Sequence, residues 1–472
     1  MSKFLILILF LLPFYLHAQP TFEKRLGGIG YQDGYSVAAM GDGGFAVVGT
    51  TSTDSVYQSD IIILRTDSLG DSLWTKTYGG PNGFDFPSAV TETFDGGLLI
   101  SATTYSYSTQ APNFSDWWIL RTDANGDTLW TKTIPKVGND RMMCISENDD
   151  HTILCCGWWS LNGYAKGTLL KLSETGDSLW SVQMGSSANA YAQFCMQNRD
   201  GNYLLAGGAL SGTFVGVIYE YDTAGNFLNI HTYDKPGIAE IINTVHPLPQ
   251  GGYLISAKSG TINGYDVWII RTNDQWDTLW TRTFNDPIYM YDTEAKFAFD
   301  AVGDSGCVFG GLDPVNNGGQ AVLYRADSTG AIQWTRSFGN QYQDQMDAII
   351  SLADGGFIFS GQADLVSNNS ADIYLVRTDG NGMVQGTTAL ESIVAQDDVL
   401  IYPNPTNGML NWQSNIYSIN EINIYSVGGT LVKIISNPSN TGYVNLKDLS
   451  EGIYIVKIIS DNKLLLKKLV LY

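Results

Sequence analysis

The chain has 472 residues, 51 of them glycine, with only 15% charged side chains and a formal net charge of −21. Length alone exceeds one ordinary domain, and the turn-rich, aromatic, weakly charged composition suits an all-β protein while excluding a disordered or mainly helical one. The acidic balance leaves no basic footprint for a phosphate backbone, so nucleic acid is excluded as a partner.

Residues 1–18 read as a signal peptide. Lys3 precedes an apolar run from Phe4 to Leu16, and His17-Ala18-Gln19 follows, placing cleavage after Ala18. The run is shorter than the roughly 20 residues a spanning helix needs, and no later segment is apolar enough to cross a membrane.

From Thr21 the chain repeats with a period of about 50 residues. Asp60–Gly80, DIIILRTDSLGDSLWTKTYGG, returns as DWWILRTDANGDTLWTK at Asp116–Lys132 and DVWIIRTNDQWDTLWTRT at Asp266–Thr283. One period reads as four strands. In the first copy these are a (Ser36–Met40), b (Phe45–Thr50), c (Ile61–Arg65) and d (Leu73–Tyr78), punctuated by Gly and Asp that tolerate tight hairpins. A turn opening at Asp42, Asp95, Asp150, Asp200, Gln250, Asp304 and Asp354 marks each a–b junction. A second marker closes strand c, as in Arg65-Thr66-Asp67, Arg121-Thr122-Asp123 and Arg377-Thr378-Asp379. A strand-d aromatic recurs at Trp74, Trp130, Trp180, Phe227, Trp280 and Trp334.

The first two series give seven copies and the third gives six. The missing d strand is found at the N-terminus, where Phe22–Gly28 aligns with Trp74–Gly80. A ring closed by strand 21–26 removes the exposed edges of an open stack. The expected fold is therefore all-β: a seven-bladed β-propeller over residues 19–380, with Met383–Thr388 as an alternative last strand. The Trp series is expected to bury a ring against the neighbouring blade. The c–d hairpin resembles the quinoprotein-type propeller repeat in its Leu-Trp pair after an acidic turn, without any residue set for a quinone.

Five cysteines, Cys144, Cys155, Cys156, Cys195 and Cys307, all fall inside expected strands. They read as small buried hydrophobes, and Cys144 with Cys195 is the one pair placed for a bridge.

Residues 381–397 read as a small, polar linker and 398–472 as a separate domain. Four motifs follow in order there: Tyr402-Pro403-Asn404-Pro405 with Gly408; Ile422–Ser426 with Gly428-Gly429; Leu446–Lys457 containing Gly452 and Tyr454; and Lys467-Lys468-Leu469-Val470. Together they resemble the type A C-terminal sorting domain of type IX secretion cargo in Bacteroidota. The resemblance implies a small Ig-like β-sandwich read by the outer-membrane translocon, removed by a sorting peptidase, and a mature product outside the cell. The chain departs from the pattern in ending Leu471-Tyr472 rather than on a basic residue.

Chemistry is sparse. No G-x-S-x-G, H-E-x-x-H or P-loop occurs, and His151, His231 and His246 lie in separate repeats without metal-ligand spacing. Acidic residues precede strand a at Asp33, Asp85, Asp140, Glu240, Asp292 and Asp344. Each either caps its own loop by accepting backbone N–H groups or joins a ring of carboxylates at one channel mouth. Ca²⁺ is the cofactor such a ring would take, with Asp33, Asp85, Asp140 and Asp344 as its ligands. The b–c loops vary most, and Tyr105, Tyr107, Trp158, Trp159, Tyr164 and Tyr265 make them candidate glycan- or protein-binding surfaces. Three functions remain open: a non-enzymatic binding module, a polysaccharide hydrolase or lyase using channel-mouth carboxylates, and a structural scaffold of the cell surface.

Overall fold

The computed structural model describes residues 20–471 apart from 29, 53–58, 81–82, 109–113, 137, 162, 186–188, 262–263, 285–297, 304, 314–318, 340–342, 368–369, 385–398, 403–405, 415–418, 427–429 and 461–463. The expected signal peptide, most of the linker, Asp292, Pro403, Asn404, Pro405 and Gly428 lie outside the described residues. The chain divides into two compact units, Met1–Gln385 and Gly386–Tyr472.

The first unit is built of antiparallel sheets, and among the described residues it contains no helix. Five sheets have four strands each in chain order, and a further one has eight. The eight-stranded sheet contains Tyr31–Ala39, Phe45–Ser52, Asp60–Thr66 and Ser72–Tyr78 together with Gln343–Ser351, Phe357–Ser367 and Ser370–Thr378. A single parallel bridge, Tyr31 to Ala371, joins these two groups. The remaining strand is Phe22–Leu26. It pairs antiparallel with Ser370–Thr378, from Phe22 opposite Arg377 to Leu26 opposite Ile373. The N-terminal strand thus fills the place that strand d holds elsewhere. Met383 closes the turn after Ser370–Thr378: its carbonyl accepts from the Asp379 N–H and its own N–H donates to the Asp379 carboxylate at 2.8 Å, while residues 385–388 of the alternative strand lie outside the described residues.

Each core lies between two sheets. One joins Val48, Ile61 and Ile63 to Leu98, Ile100 and Trp118. Others join Trp117 to Cys155, Leu154 to Leu205, Leu204 to Ile255, Leu254 to Phe309, and Val308 to Phe359. The last joins Phe22, Ile358 and Leu375 back to Val37, Phe45 and Leu64. Strands b and c are therefore buried on both faces, which is why Ile61–Leu64 and Trp117–Leu120 read as unbroken apolar runs.

The two sequence markers bond to each other. Asp95 accepts both carboxylate bonds from the Arg121 guanidinium at 2.7 Å, Asp42 pairs with Arg65 at 2.5 Å, and Asp354 pairs with Arg377 at 2.8 Å. Arg121 beside it holds the Asp95 carboxyl down at about 2. Where Gln250 replaces the Asp, Arg271 donates to the Gly251 carbonyl instead.

All but one of the strand-d aromatics lie on the next sheet's c–d turn, at a glycine of positive φ. A Cβ at Gly126 would come within 2.7 Å of the Trp74 ring, and one at Gly176 within 3.0 Å of Trp130. The same relation links Trp180 to Gly225, Trp280 to Gly330, Trp334 to Gly382, and Phe22 to Gly70. One junction differs. Phe227 is 57% exposed, and the facing turn carries Trp276 at φ 68, its ring stacked on Tyr253 at 4.1 Å and His231 at 4.6 Å. There the aromatic is supplied by the turn.

All five cysteines are buried and none is in a disulfide. Cys144 stands opposite Cys156 across a strand pair and donates to the Cys195 carbonyl at 3.8 Å.

The second unit has two sheets over one core. Val399–Tyr402, Met409–Ser414 and Thr441–Asn445 form one, and Leu431–Ser436, Ile419–Ser426, Gly452–Ser460 and Leu464–Leu471 the other. Leu410, Trp412, Ile424, Tyr454, Val456 and Leu469 fill the space between.

Candidate functional site

Strand a begins earlier than its apolar residues suggest. Asp33 lies within Tyr31–Ala39, Asp85 opens Asp85–Glu92, Glu240 lies within Ala239–Pro247 and Asp344 within Gln343–Ser351. Only Asp140 stays one residue ahead of its strand, Arg141–Glu147. Extended backbone continues into the expected loops because strand b is long enough to pair with it.

Each of these strands then carries a bulge, after Pro87, Met142, Ala192, Ile242 and Met346, leaving one residue unpaired. Strand b answers with a small residue. A Cβ at Gly157 would lie 2.1 Å from the Arg141 carbonyl oxygen, at Gly207 1.9 Å from that of Tyr191, and at Gly361 2.1 Å from that of Gln345. In the first sheet Gly34 and Tyr35 stand against the single Gly49 between Asp33 and Ser36, again one extra residue on strand a. One extra residue turns a side chain to the opposite face. By pairing, Asp33 (opposite Thr50) corresponds to Phe86, Arg141, Tyr191 and Gln345, while Gln32 takes the place of Asp85, Asp140, Glu240 and Asp344.

The series splits accordingly. Gln32 Oε1 accepts from Gly28 N–H at 3.1 Å, and Asp85 accepts from Gly80 N–H at 3.2 Å and Ser106 N–H at 3.4 Å. Asp140 accepts from Ser160 N–H at 2.8 Å, and the side chain of Asp344 lies against Gly339. These groups are buried and bind their own loops. Burial, with the nearby Asp116 charge, pushes the Asp140 carboxyl up to about 7, against the Ser160 N–H and Lys136. Among the described residues, no three His, Cys, Asp or Glu side chains stand together to hold a metal ion.

Asp33 faces elsewhere. Its Oδ2 accepts from the Tyr31 hydroxyl at 3.2 Å, and that hydroxyl lies 3.3 Å from Gln362 Oε1. The Asp347 carboxyl, on the unpaired bulge residue of the last sheet, is in hydrogen-bond contact with Asp33. Burial raises the Asp33 carboxyl, against the contacts with Asp347, Tyr31 and the Gly34 backbone, which lower it.

The expected binding aromatics are partly strand residues. Trp158 and Trp159 lie inside Ile153–Leu161, Tyr164 opens Tyr164–Leu172, and Tyr265 lies in Gly264–Thr272. The hairpin is tight: Trp159 pairs with Lys166 and Leu161 with Tyr164. Aromatic side chains favour such pleated, half-buried positions. Trp159 is buried 5.2 Å from Trp117, with Lys136 4.5 Å above its ring. Tyr107 donates to the Gly79 carbonyl at 2.7 Å and lies against Trp118, while Tyr105 is half-buried beside Phe84. Tyr164 is 48% exposed.

Trp158 gathers partners the sequence did not single out. Its ring meets Tyr191 at 5.1 Å, and Tyr191 meets Phe214 at 5.5 Å, all three half-buried. Beside them Arg141 stacks over Phe86 at 4.7 Å. Tyr191, Arg141 and Phe86 occupy the same bulge-preceding position as Asp33 on successive sheets. The signal for that position was the Gly or Ala on strand b opposite each bulge.

In the tail, Tyr402 is 47% exposed, Tyr454 is buried with its hydroxyl donating to the Ser450 carbonyl at 2.7 Å, and Lys467 is half-buried opposite Val456. Gly408 and Gly452 have φ of 118 and 152, and Lys468 lies opposite Ile455.

Sheets packed face to face in chain order, with the N-terminal strand completing the last, define a β-propeller fold. Comparison with solved structures agrees at the level of fold. A polysaccharide lyase, the ulvan lyase bound to -[GlcA(1-4)Rha3S]-, is 10% identical over 77% of this chain and 96% of its own, with a TM-score of 0.50. A puromycin hydrolase mutant complexed with PGG is 12% identical over 81% of this chain and 58% of its own, also at 0.50. An α-L-arabinanase of Penicillium chrysogenum complexed with arabinobiose is 12% identical over 62% of this chain and 92% of its own, at 0.42. No curated protein matches the sequence significantly. Residues 400–472 match the secretion system C-terminal sorting domain. The protein is thus type IX secretion cargo, exported to the cell surface or the extracellular space.

Proposed function

We propose that the first unit is a seven-bladed β-propeller that binds an extracellular glycan at the end of the sheets where strand a begins. Supporting the blade count, one parallel bridge is the only strand pairing between the two halves of the eight-stranded sheet among the described residues, so each half with its own d strand makes a blade. The tail, two sheets over one core, is proposed as the Ig-like form of the sorting domain.

The observation that carries the binding reading is the half-buried series Trp158, Tyr191 and Phe214 beside Arg141 and Phe86. Rigid aromatic faces take the C–H faces of sugar rings, and the guanidinium supplies hydrogen bonds or pairs with an acidic sugar. Asp85 accepts from two backbone N–H groups and Asp140 from one, which ties both carboxylates to their own loops. The test is a screen of the full chain against a panel of neutral and uronic polysaccharides. Binding that falls about 10-fold or more in Trp158→Ala and Tyr191→Ala supports the reading. Polymer cleavage, or binding untouched by both replacements, would sink it.

A further inference from the structure

The cluster between the first and last sheets is incomplete by hydrogen bonding alone. Asp33 and Gln362 are 6% and 4% exposed, yet Asp33 Oδ1 and Gln362 Nε2 find no partner. Tyr31 Oη lies 3.2 Å from Asp33 and 3.3 Å from Gln362, and the carboxyl of Asp347 faces Asp33. Two carboxyls in contact at a buried site cannot both ionise unless a positive charge lies between them.

We propose that Asp33 and Asp347, with Gln362 Oε1 and Tyr31 Oη, hold a calcium ion that bridges the first and last sheets. The two carboxylates and the amide oxygen are the hard donors Ca²⁺ selects, with the Tyr31 hydroxyl and water completing six to eight ligands. A water of that shell supplies the acceptor Gln362 Nε2 lacks. Two carboxylates make a low-charge site, which places the affinity in the range of about 10⁻⁴–10⁻³ M usual for extracellular modules. That range suits a protein exported from the cell. The net charge of −21 raises the local cation concentration further. This set differs from a ring of Asp33, Asp85, Asp140 and Asp344, since the last three bind or face their own loops.

The experiment is calorimetric Ca²⁺ titration and Tb³⁺ luminescence, excited through Tyr and Trp, on the full chain freed of metal with EDTA. Thermal unfolding with and without millimolar Ca²⁺ accompanies it. One bound Ca²⁺ and a raised unfolding midpoint are expected, both lost in Asp347→Asn. In Gln362→Ala the affinity should weaken about 10-fold or more. If Asp347→Asn does not fold, Gln362→Ala and Tyr31→Phe carry the same readout. No Ca²⁺ binding, or binding of equal strength in the replaced proteins, overturns the proposal and leaves a shared proton at the junction.

Discussion

The two ends of the propeller sheets are built on opposite principles. At the turn end one contact recurs from sheet to sheet: an aromatic ring on a left-handed glycine, with a lysine reaching the next turn's aspartate. Lys76 to Asp127 at 2.6 Å and Lys132 to Asp177 at 3.0 Å are two instances. At the loop end the equivalent positions hold Asp33, Phe86, Arg141, Tyr191 and Gln345, chemically unrelated groups on one backbone frame. Repetition holds the sheets together where the copies agree, and the bulge lets them differ without disturbing that packing.

The comparison breaks most sharply at the bulge itself. Gly157→Val would drive a Cβ into the Arg141 carbonyl, and a loss of about 4 kcal/mol or outright failure to fold is expected by denaturant titration. A full-strength midpoint there would mean the bulge is not fixed. At the turn end, Trp130→Ala should lose about 2–3 kcal/mol, since the ring is only half-buried against the Ile119 and Leu170 core. Trp276→Gly sharpens the exception. It relieves a strained φ of 68 but removes the stack on Tyr253 and His231, so a net loss of about 1 kcal/mol is expected. A gain would show that this turn needs only glycine, like the others.

At the loop end, Asp140 provides a pH-dependent contrast. Its carboxyl is raised in the folded chain to about 7, so the folded state holds the proton more tightly. That stability is complete below the unfolded carboxyl range near pH 4 and is lost as pH rises through about 7. Asp140→Asn keeps an acceptor for Ser160 N–H and does not titrate. Relative to the parent chain it should gain on the order of 1 kcal/mol between pH 5 and pH 8, allowing for solvent screening. A pH-independent difference would place the charge in water. The smallest effect is Lys132→Ala. Its pair with Asp177 is exposed, so no resolvable change in the denaturant midpoint and a weak salt dependence are expected.

The sequence by itself determined the strands, their order and the tail. Both-face apolar runs, turn glycines and paired Asp and Arg markers are local or periodic signals, and the four sorting motifs are matched over 400–472. It also placed an aromatic at each junction but could not show that Phe227 yields to Trp276, because that exchange is between residues of different repeats. The loop end was decided only in three dimensions. An alignment on the acidic residues set Asp33 beside Asp85 and Asp140, whereas strand pairing places it one position further along strand a, where it meets Asp347, more than 300 positions away. The alternation of side chains along a strand has a period of two, so a displacement of one position exchanges a loop cap for a group at the junction of the first and last sheets. Counted back from the a–b turn, Asp33 stands nine residues before Asp42 while Asp85 and Asp140 stand ten before Asp95 and Asp150, so the spacing carries the displacement; what faces Asp33 from the last sheet exists only in how the sheets pack.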